Sequence, residues 1–96
     1  MDRLTPGQIV LSLAGHDSGK LYVVLRREGA CFLLADGRNR KLQNPKKKNG
    51  KHLERRSDSP LAEAIGGGVV TDKMIRNTLA ACRGEMTGGG NSIGKR

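Results

Sequence analysis

Hydrophobic and polar residues alternate along the first half of the chain with the period of two that is typical of β-strands. Residues 20–27 show the alternation most clearly, because Leu21, Val23 and Leu25 would share one face of an extended strand. Similar patterns predict four further strands, at residues 8–13, 30–35, 38–43 and 51–55. The first half of the chain therefore predicts a five-stranded, mainly β domain.

Turn dipeptides separate the predicted strands. Asp36-Gly37 predicts a tight hairpin turn, since such turns require positive φ. Asn49-Gly50 predicts another turn, which would place the run from Lys46 to Lys48 on an exposed loop. Short strands joined by tight turns favour a small, strongly bent sheet or barrel, and closure of a barrel protects the sheet edges.

A helical pattern follows in the second half of the chain, at residues 71–83. Thr71 or Asp72 is suited to cap the start of this helix, and Gly84 is suited to end it. Four apolar residues of this segment would lie on one side of the helix and form a stripe: Met74, Ile75, Leu79 and Cys82. The stripe predicts packing against the β domain in preference to a partner's groove, although the sequence leaves both open.

At 96 residues the chain has room for one small domain with short appendages. We expect a β domain over residues 1–56, a Gly-rich connector over 57–70, a helix over 71–84 and a flexible tail over 85–96. One helical turn is expected near Pro60, ended by the glycines at 66–68.

Several functional classes are disfavoured by the sequence. The apolar runs are far shorter than the roughly 18 residues of a membrane span, and the N-terminus does not resemble a signal peptide, so a cytoplasmic location with reduced cysteines is expected. No metal site is predicted, because His16, Cys31, His52 and Cys82 lack close ligand spacing. No catalytic group and no cofactor are predicted either, because nothing in the sequence supplies a base for the His16-Asp17-Ser18 triplet.

Positive charge is concentrated in residues 38–56. This segment contains nine Lys/Arg and one acid, Glu54, a net charge of +8 out of +9 for the whole chain. Leu42 and Leu53 within it have the spacing of inward-facing strand residues, which predicts an ordered basic surface. A surface this dense repels itself until a polyanion neutralises it, so it predicts a nucleic-acid partner.

Residues 6–25, PGQIVLSLAGHDSGKLYVVL, resemble a KOW motif. That motif consists of a strand, a glycine-bracketed loop, a basic residue and a second strand. Here Gly15 and Gly19 bracket the loop and Lys20 is the basic residue. Tyr22 stands where many KOW motifs have a third glycine.

A second segment narrows the resemblance. The run Lys51-His52-Leu53-Glu54 is similar to the His-Leu-Glu segment that ends the barrel of large-subunit ribosomal proteins of the L-fourteen-e type and their small bacterial relatives. Arg55 stands where those relatives often have proline. The resemblance implies an SH3-like barrel that binds RNA, as a ribosomal-protein-like or ribosome-associated factor.

Structured RNA, in particular ribosomal RNA, is the partner that the residues favour. Tyr22 and Phe32 are the only aromatic residues, so contacts are expected mainly to phosphate and sugar, with shape providing recognition. The residues expected to contact RNA are His16, Lys20, Arg38, Arg40, Lys41, Lys46, Lys47, Lys48, Lys51, His52, Arg55 and Arg56. Among them, Arg40 and Lys51 are expected on rigid strands and to matter more for selectivity than Lys46 and Lys47 on a mobile loop tip.

A protein-interaction module is the alternative. A monomeric barrel of this size could dock on ribosomal or transcription proteins through its exposed β-edges or the helix at residues 71–83.

Overall fold

Three of the alternating stretches form consecutive antiparallel strands in the computed structural model, which describes residues 4–84. The predicted tail at 85–96 lies outside the described residues. One five-stranded antiparallel sheet has the order β4-β3-β2-β1-β5. Its strands are β1 (Ile9–Ser12), β2 (Leu21–Glu28), β3 (Cys31–Ala35), β4 (Lys46–Asn49) and β5 (Leu53–Ser57). Two helices follow, α1 (Ala62–Gly66) and α2 (Asp72–Arg83), so the prediction of a mainly β fold followed by a helix is confirmed.

Val23 and Leu25 lie on one face of β2, as predicted, and the core is divided between the two faces of the sheet. On the face covered by α2, the buried residues form what we call the helix-side cluster: Ile9, Val23, Leu25, Leu33, Ala35, Leu61, Ile75 and Leu79. On the other face, the buried residues form the opposite-face cluster: Val10, Tyr22, Val24, Phe32, Leu34 and Leu53. Because both faces of a single sheet bury apolar side chains, the sheet forms the centre of the molecule.

The sheet is bent but not closed. Register shifts between Ile9 and Val10 and between Val24 and Arg26 mark irregularities of the kind that bend strands. Only a 3₁₀ turn, Gly50–His52, joins the two edge strands β4 and β5. This link spans at most about 14 Å, whereas the edges of a flat five-stranded sheet lie about 19 Å apart. The edges therefore curve towards each other, although β4 and β5 form no ladder.

The strand predicted at residues 38–43 is absent, and that prediction is wrong. A carboxylate oxygen of Asp36, Oδ1, accepts hydrogen bonds from the backbone N–H groups of Arg38 and Arg40 at 2.9 and 2.8 Å. The carboxylate of Asp72 accepts one from the N–H of Leu42 at 2.8 Å. Side chains thus bind backbone donors that a strand would have used, and the segment turns outside the sheet.

The fourth strand lies further along the chain, in the run that was expected to be an exposed loop. β4 pairs with β3 so that Leu34 faces Lys46 and Phe32 faces Lys48. The turn predicted at Asn49-Gly50 does lie at the end of this strand, where the Asn49 side chain accepts a hydrogen bond from the N–H of Lys51 at 3.0 Å. The prediction of an exposed loop over Lys46 to Lys48 is therefore wrong.

Helix α2 packs on the sheet, which answers the question that the sequence left open. Thr71 is its N-cap, and its hydroxyl accepts a hydrogen bond from the N–H of Met74 at 3.2 Å. Ile75 and Leu79 are fully buried in the helix-side cluster. Cys82, the last member of the predicted stripe, is exposed instead. Gly84 ends the helix with a φ of 78°, as predicted.

The connector before α2 is held against the start of the sheet. Leu61 is buried in the helix-side cluster, and Gly7 passes so close that a Cβ there would lie 2.7 Å from the backbone nitrogen of Ala62. The helical turn predicted in this connector is present as α1. Across residues 4–84, neither helix has the length and apolar character needed to cross a bilayer.

Candidate functional site

Four cationic side chains line a cleft on the side of the sheet where the end of α2 lies. The cleft has a volume of about 720 Å³. Its cations come from four separate parts of the chain: Lys20, Arg38, Arg56 and Arg83. The remaining lining residues are Leu11, Gly19, Leu21, Asp36, Asn39 and Cys82. We call this site the basic cleft.

The loop between β1 and β2 positions Lys20 at the cleft. Gly15 and Gly19 have φ values of 83° and 89°, which non-glycine residues adopt only with strain. The N–H of Gly19 donates to the carbonyl of Ser12 at 2.8 Å, and the N–H of Ser12 donates to the carbonyl of Lys20 at 2.9 Å. The two predicted motif glycines therefore provide the sharp turn that fixes Lys20 directly before β2.

The turn after β3 positions Arg38 by docking on α2. The guanidinium of Arg76 donates a hydrogen bond to the carbonyl of Gly37 at 2.7 Å. A Cβ at Gly37 would lie 2.4 Å from the carbonyl oxygen of Asp72, so the turn and the helix are in close contact. Arg38 and Asn39 follow immediately and extend into the cleft wall.

A second charged group, centred on Asp17, lies inside the loop between β1 and β2. Asp17 is only 8% exposed. Its carboxylate accepts hydrogen bonds from the hydroxyls of Ser12 and Tyr22 at 3.1 and 3.3 Å. It also accepts one from the ammonium of Lys48 at 3.1 Å and lies 3.5 Å from that of Lys46. This Asp17 cluster connects the loop to strand β4.

The cluster shifts the pKa values of two of its members. Burial raises the pKa of Asp17, but the hydrogen bonds from Lys48 and Ser12 and the charges of Lys46 and Lys48 outweigh it and lower that pKa to about 2. Burial and the neighbouring Asp17 carboxylate raise the pKa of the Tyr22 hydroxyl to about 12. Asp17 is therefore ionised and Tyr22 is neutral at physiological pH.

Two of the predicted RNA contacts are consequently engaged within the protein. The side chain of Lys48 is 12% exposed and also donates to the carbonyl of Ala14 at 2.9 Å. The side chain of Lys46 is 26% exposed. The expectation that this run forms a mobile loop tip is wrong, because two of its lysines stabilise the β1–β2 loop from a strand.

Three other predicted contacts form exposed ion pairs with neighbouring acids. Arg56 lies 3.8 Å from Glu54 and Arg55 lies 3.1 Å from Asp58. Lys47 lies 3.7 Å from Glu28. Exposed pairs of this kind are weak, so these cations stay available to another anion. Of the three, Arg56 lines the basic cleft.

The remaining predicted contacts do not line the cleft. Arg40 and Lys41 lie in the turns after β3, and Lys51 and His52 lie in the 3₁₀ turn. The expectation that Arg40 and Lys51 are carried by strands is therefore wrong. His16 is exposed at the tip of the β1–β2 loop.

Sequence reasoning missed Arg83 and Asp36 as parts of the site. Arg83 lies 63 positions after Lys20 (83 − 20), and only the packing of α2 brings both to one cleft. The close contact of Gly37 with α2 has no local sequence signal apart from the glycine itself. Among residues 4–84, no three His, Cys, Asp or Glu side chains come together in a way that could hold a metal ion.

No family model matches the sequence, and no curated protein matches it.

Proposed function

We propose that this protein binds structured RNA through the basic cleft. The observation that carries the proposal is the convergence of Lys20, Arg38, Arg56 and Arg83 from four segments on one concave surface. Grouped Lys and Arg side chains neutralise phosphates, and this electrostatic attraction supplies most of the affinity of sequence-independent binding. The excess of nine Lys/Arg over one acid in residues 38–56 adds a wider attractive field.

We infer that the bent sheet is a partly open SH3-like barrel of the KOW type. Three features support this inference: the strand–loop–strand unit of β1 and β2, positive φ at Gly15 and Gly19, and Lys20 on the wall of the cleft. The resemblance to large-subunit ribosomal proteins of the L-fourteen-e type favours ribosomal RNA as the partner and a ribosome-associated role in the cytoplasm.

The aromatic residues favour phosphate and sugar contacts over base stacking. Tyr22 is 3% exposed and Phe32 is 1% exposed, and the chain has no other aromatic residue. Proteins that bind single-stranded RNA usually stack bases on exposed rings, which this chain lacks. Recognition of a folded RNA by its shape and its backbone is the mode that suits this surface.

The salt dependence of RNA binding tests the proposal. The affinity of the full chain for a folded ribosomal RNA fragment would be measured by fluorescence anisotropy from 50 to 300 mM salt. If the four cleft cations each neutralise one phosphate, log affinity falls with log salt at a slope of about −2.8 to −3.6. A slope near zero would contradict the proposal, because phosphate contacts always release counterions.

The protein-interaction alternative is less well supported by the surface. The apolar stripe of α2 packs against the sheet through Ile75 and Leu79 and is therefore covered. The edge strand β5 carries the charged residues Glu54, Arg55 and Arg56, which disfavour pairing with another strand. Pull-down with nuclease treatment separates the two proposals, since protein partners survive RNA digestion and RNA-dependent ones do not.

A further inference from the structure

We propose that the basic cleft receives one unpaired nucleotide of the RNA, and that Asp36 accepts a hydrogen bond from an N–H group of its base. This inference rests on the proposed function, since it names the part of the RNA that enters the cleft. It predicts that a bulge or loop in a folded RNA, and not an uninterrupted duplex, is the preferred ligand.

The carboxylate of Asp36 places a hydrogen-bond acceptor in the cleft. Oδ1 of Asp36 is occupied by the N–H groups of Arg38 and Arg40. Within the described part of the chain, Oδ2 has no hydrogen-bond or ion-pair partner, although the carboxylate lines a wall with four cations. A carboxylate repels a phosphate, so a site for phosphate alone would be better without it. The N–H groups of a base are donors that suit an unoccupied carboxylate oxygen.

The C-terminal end of α2 also borders the cleft. Cys82 and Arg83, in the last turn of the helix, line the cleft. The C-terminal end of a helix carries partial negative charge, which is unfavourable next to a phosphate and favourable next to a donor. The cleft thus combines cations for the phosphate with the Asp36 carboxylate and the negative end of α2 for the base, as a nucleotide requires.

The cleft is large enough for a nucleotide base and is partly apolar. Its volume of about 720 Å³ lies within the range of about 300–1,000 Å³ typical of small-molecule sites. Leu11 and Leu21 are half-buried and contribute apolar surface beside the cations. The face of a base can pack against this apolar surface, although no aromatic ring is exposed for stacking. Bases that have left a helix present their edges to such sites, whereas the bases of a duplex do not.

Three RNA hairpins of the same stem sequence test the inference. One has a single bulged nucleotide, one has an abasic residue at the bulge, and one has a continuous duplex stem. We expect the full chain to bind the bulged hairpin about tenfold more tightly than the abasic one, because a hydrogen bond to a charged group is lost with the base. The continuous stem should bind no more tightly than the abasic hairpin.

The variant Asp36→Asn identifies the residue responsible. Asn keeps the oxygen that accepts from Arg38 and Arg40 but replaces Oδ2 by an NH₂ group, which cannot accept. We expect the tenfold preference to fall to less than about twofold. Binding to the continuous stem should stay equal or become tighter, because a negative charge is removed. Glu63→Gln, an exposed position on α1, is the matched control and should keep the preference.

The outcomes separate this inference from the proposed function. If the protein binds all three hairpins equally with a steep salt dependence, RNA binding stands and the nucleotide site is refuted. If the preference exists but Asp36→Asn keeps it, Asp36 is not the acceptor and the inference is overturned. If no hairpin and no folded ribosomal RNA is bound, both proposals fail. Should Asp36→Asn not fold, the comparison of bulged and abasic hairpins with the unaltered protein still decides.

Discussion

Asp17 is the residue on which the local geometry of the β1–β2 loop depends most. It receives hydrogen bonds from Ser12, Tyr22 and Lys48 while it is 8% exposed. A carboxylate in such surroundings remains charged only because lysines face it. The loop that carries Lys20 is thus connected to strand β4 by an ion pair between residues 31 positions apart.

The variant Asp17→Asn should destabilise the fold by about 2 kcal/mol, because Lys48 would keep its charge in a largely buried position without its partner. Urea unfolding of the full chain at pH 7 measures the change. Glu54→Gln removes the exposed pair with Arg56 and should change the stability by less than about 0.5 kcal/mol. Similar losses for the two variants would show that the Asp17 cluster is no more important than a surface pair.

Acid should weaken the Asp17 cluster in a defined range. The pKa of Asp17 is lowered in the folded protein from 3.8 to about 2, so the folded state resists protonation more than the unfolded state does. The stabilisation is complete above about pH 4 and is lost as the pH falls towards 2. After allowance for solvent screening it amounts to about 1 kcal/mol.

Urea unfolding at pH 5 and pH 2.5 tests this dependence. The stability difference between the unaltered protein and Asp17→Asn should be larger at pH 5 than at pH 2.5. A difference that stays constant between the two pH values would contradict a lowered pKa of Asp17.

The segment between β3 and β4 forms part of the wall of the basic cleft, in place of the tight hairpin that the sequence predicted. It leaves the sheet after Ala35, docks on α2 through Gly37 and Leu42, and returns as β4. Because of this detour Arg38 lies on the cleft wall, whereas a strand at residues 38–43 would have kept it in the sheet.

Substitution of Gly37 tests the docking of this segment. Gly37→Ala should destabilise the protein by about 2–4 kcal/mol, because it adds a clash with α2 to the cost of a positive φ of 78°. Gly19→Ala is the matched control, since Gly19 has a φ of 89° but nothing within 4 Å of its Cβ position. It should cost only about 1 kcal/mol. Equal losses in thermal or urea unfolding would show that Gly37 does not contact α2 closely.

The sequence predicted the elements whose pattern is local and missed those that depend on distant contacts. Strands β1, β2 and β3 and the cap of α2 were predictable, since alternation, β-branched residues and Thr71 indicate them directly. Strand β4 was not, because the run Lys46 to Lys48 has no hydrophobic alternation. It forms a strand through pairing with β3 and through ion pairs with Asp17, which no local rule shows.

The candidate site was predictable to a similar extent. Lys20, Arg38 and Arg56 were expected to contact RNA, and all three line the basic cleft. Arg83 was missed, because its position depends on how α2 packs on the sheet. The ion pairs of Lys46 and Lys48 with the buried Asp17 were also not predictable, because a count of charges in sequence does not show which cations have a buried acid as partner.

At the scale of the whole molecule, the cations that stabilise the fold differ from those that line the basic cleft. Within residues 38–56, Lys46 and Lys48 stabilise the fold through Asp17, whereas Arg38 and Arg56 line the basic cleft, as Lys20 does. This separation is the central claim of our account. It predicts that the position of a cation, and not only the total charge, sets the affinity for RNA.

RNA binding by two charge-matched double variants is the most direct measurement of this claim. One variant combines Lys20→Ala with Arg38→Ala in the basic cleft, and the other combines Lys47→Ala with Lys51→Ala, two exposed residues outside it. Each removes two positive charges. At 150 mM salt, we expect the cleft variant to bind a folded ribosomal RNA fragment at least about tenfold more weakly and the control to change by less than about threefold. Equal losses for the two variants would contradict the account.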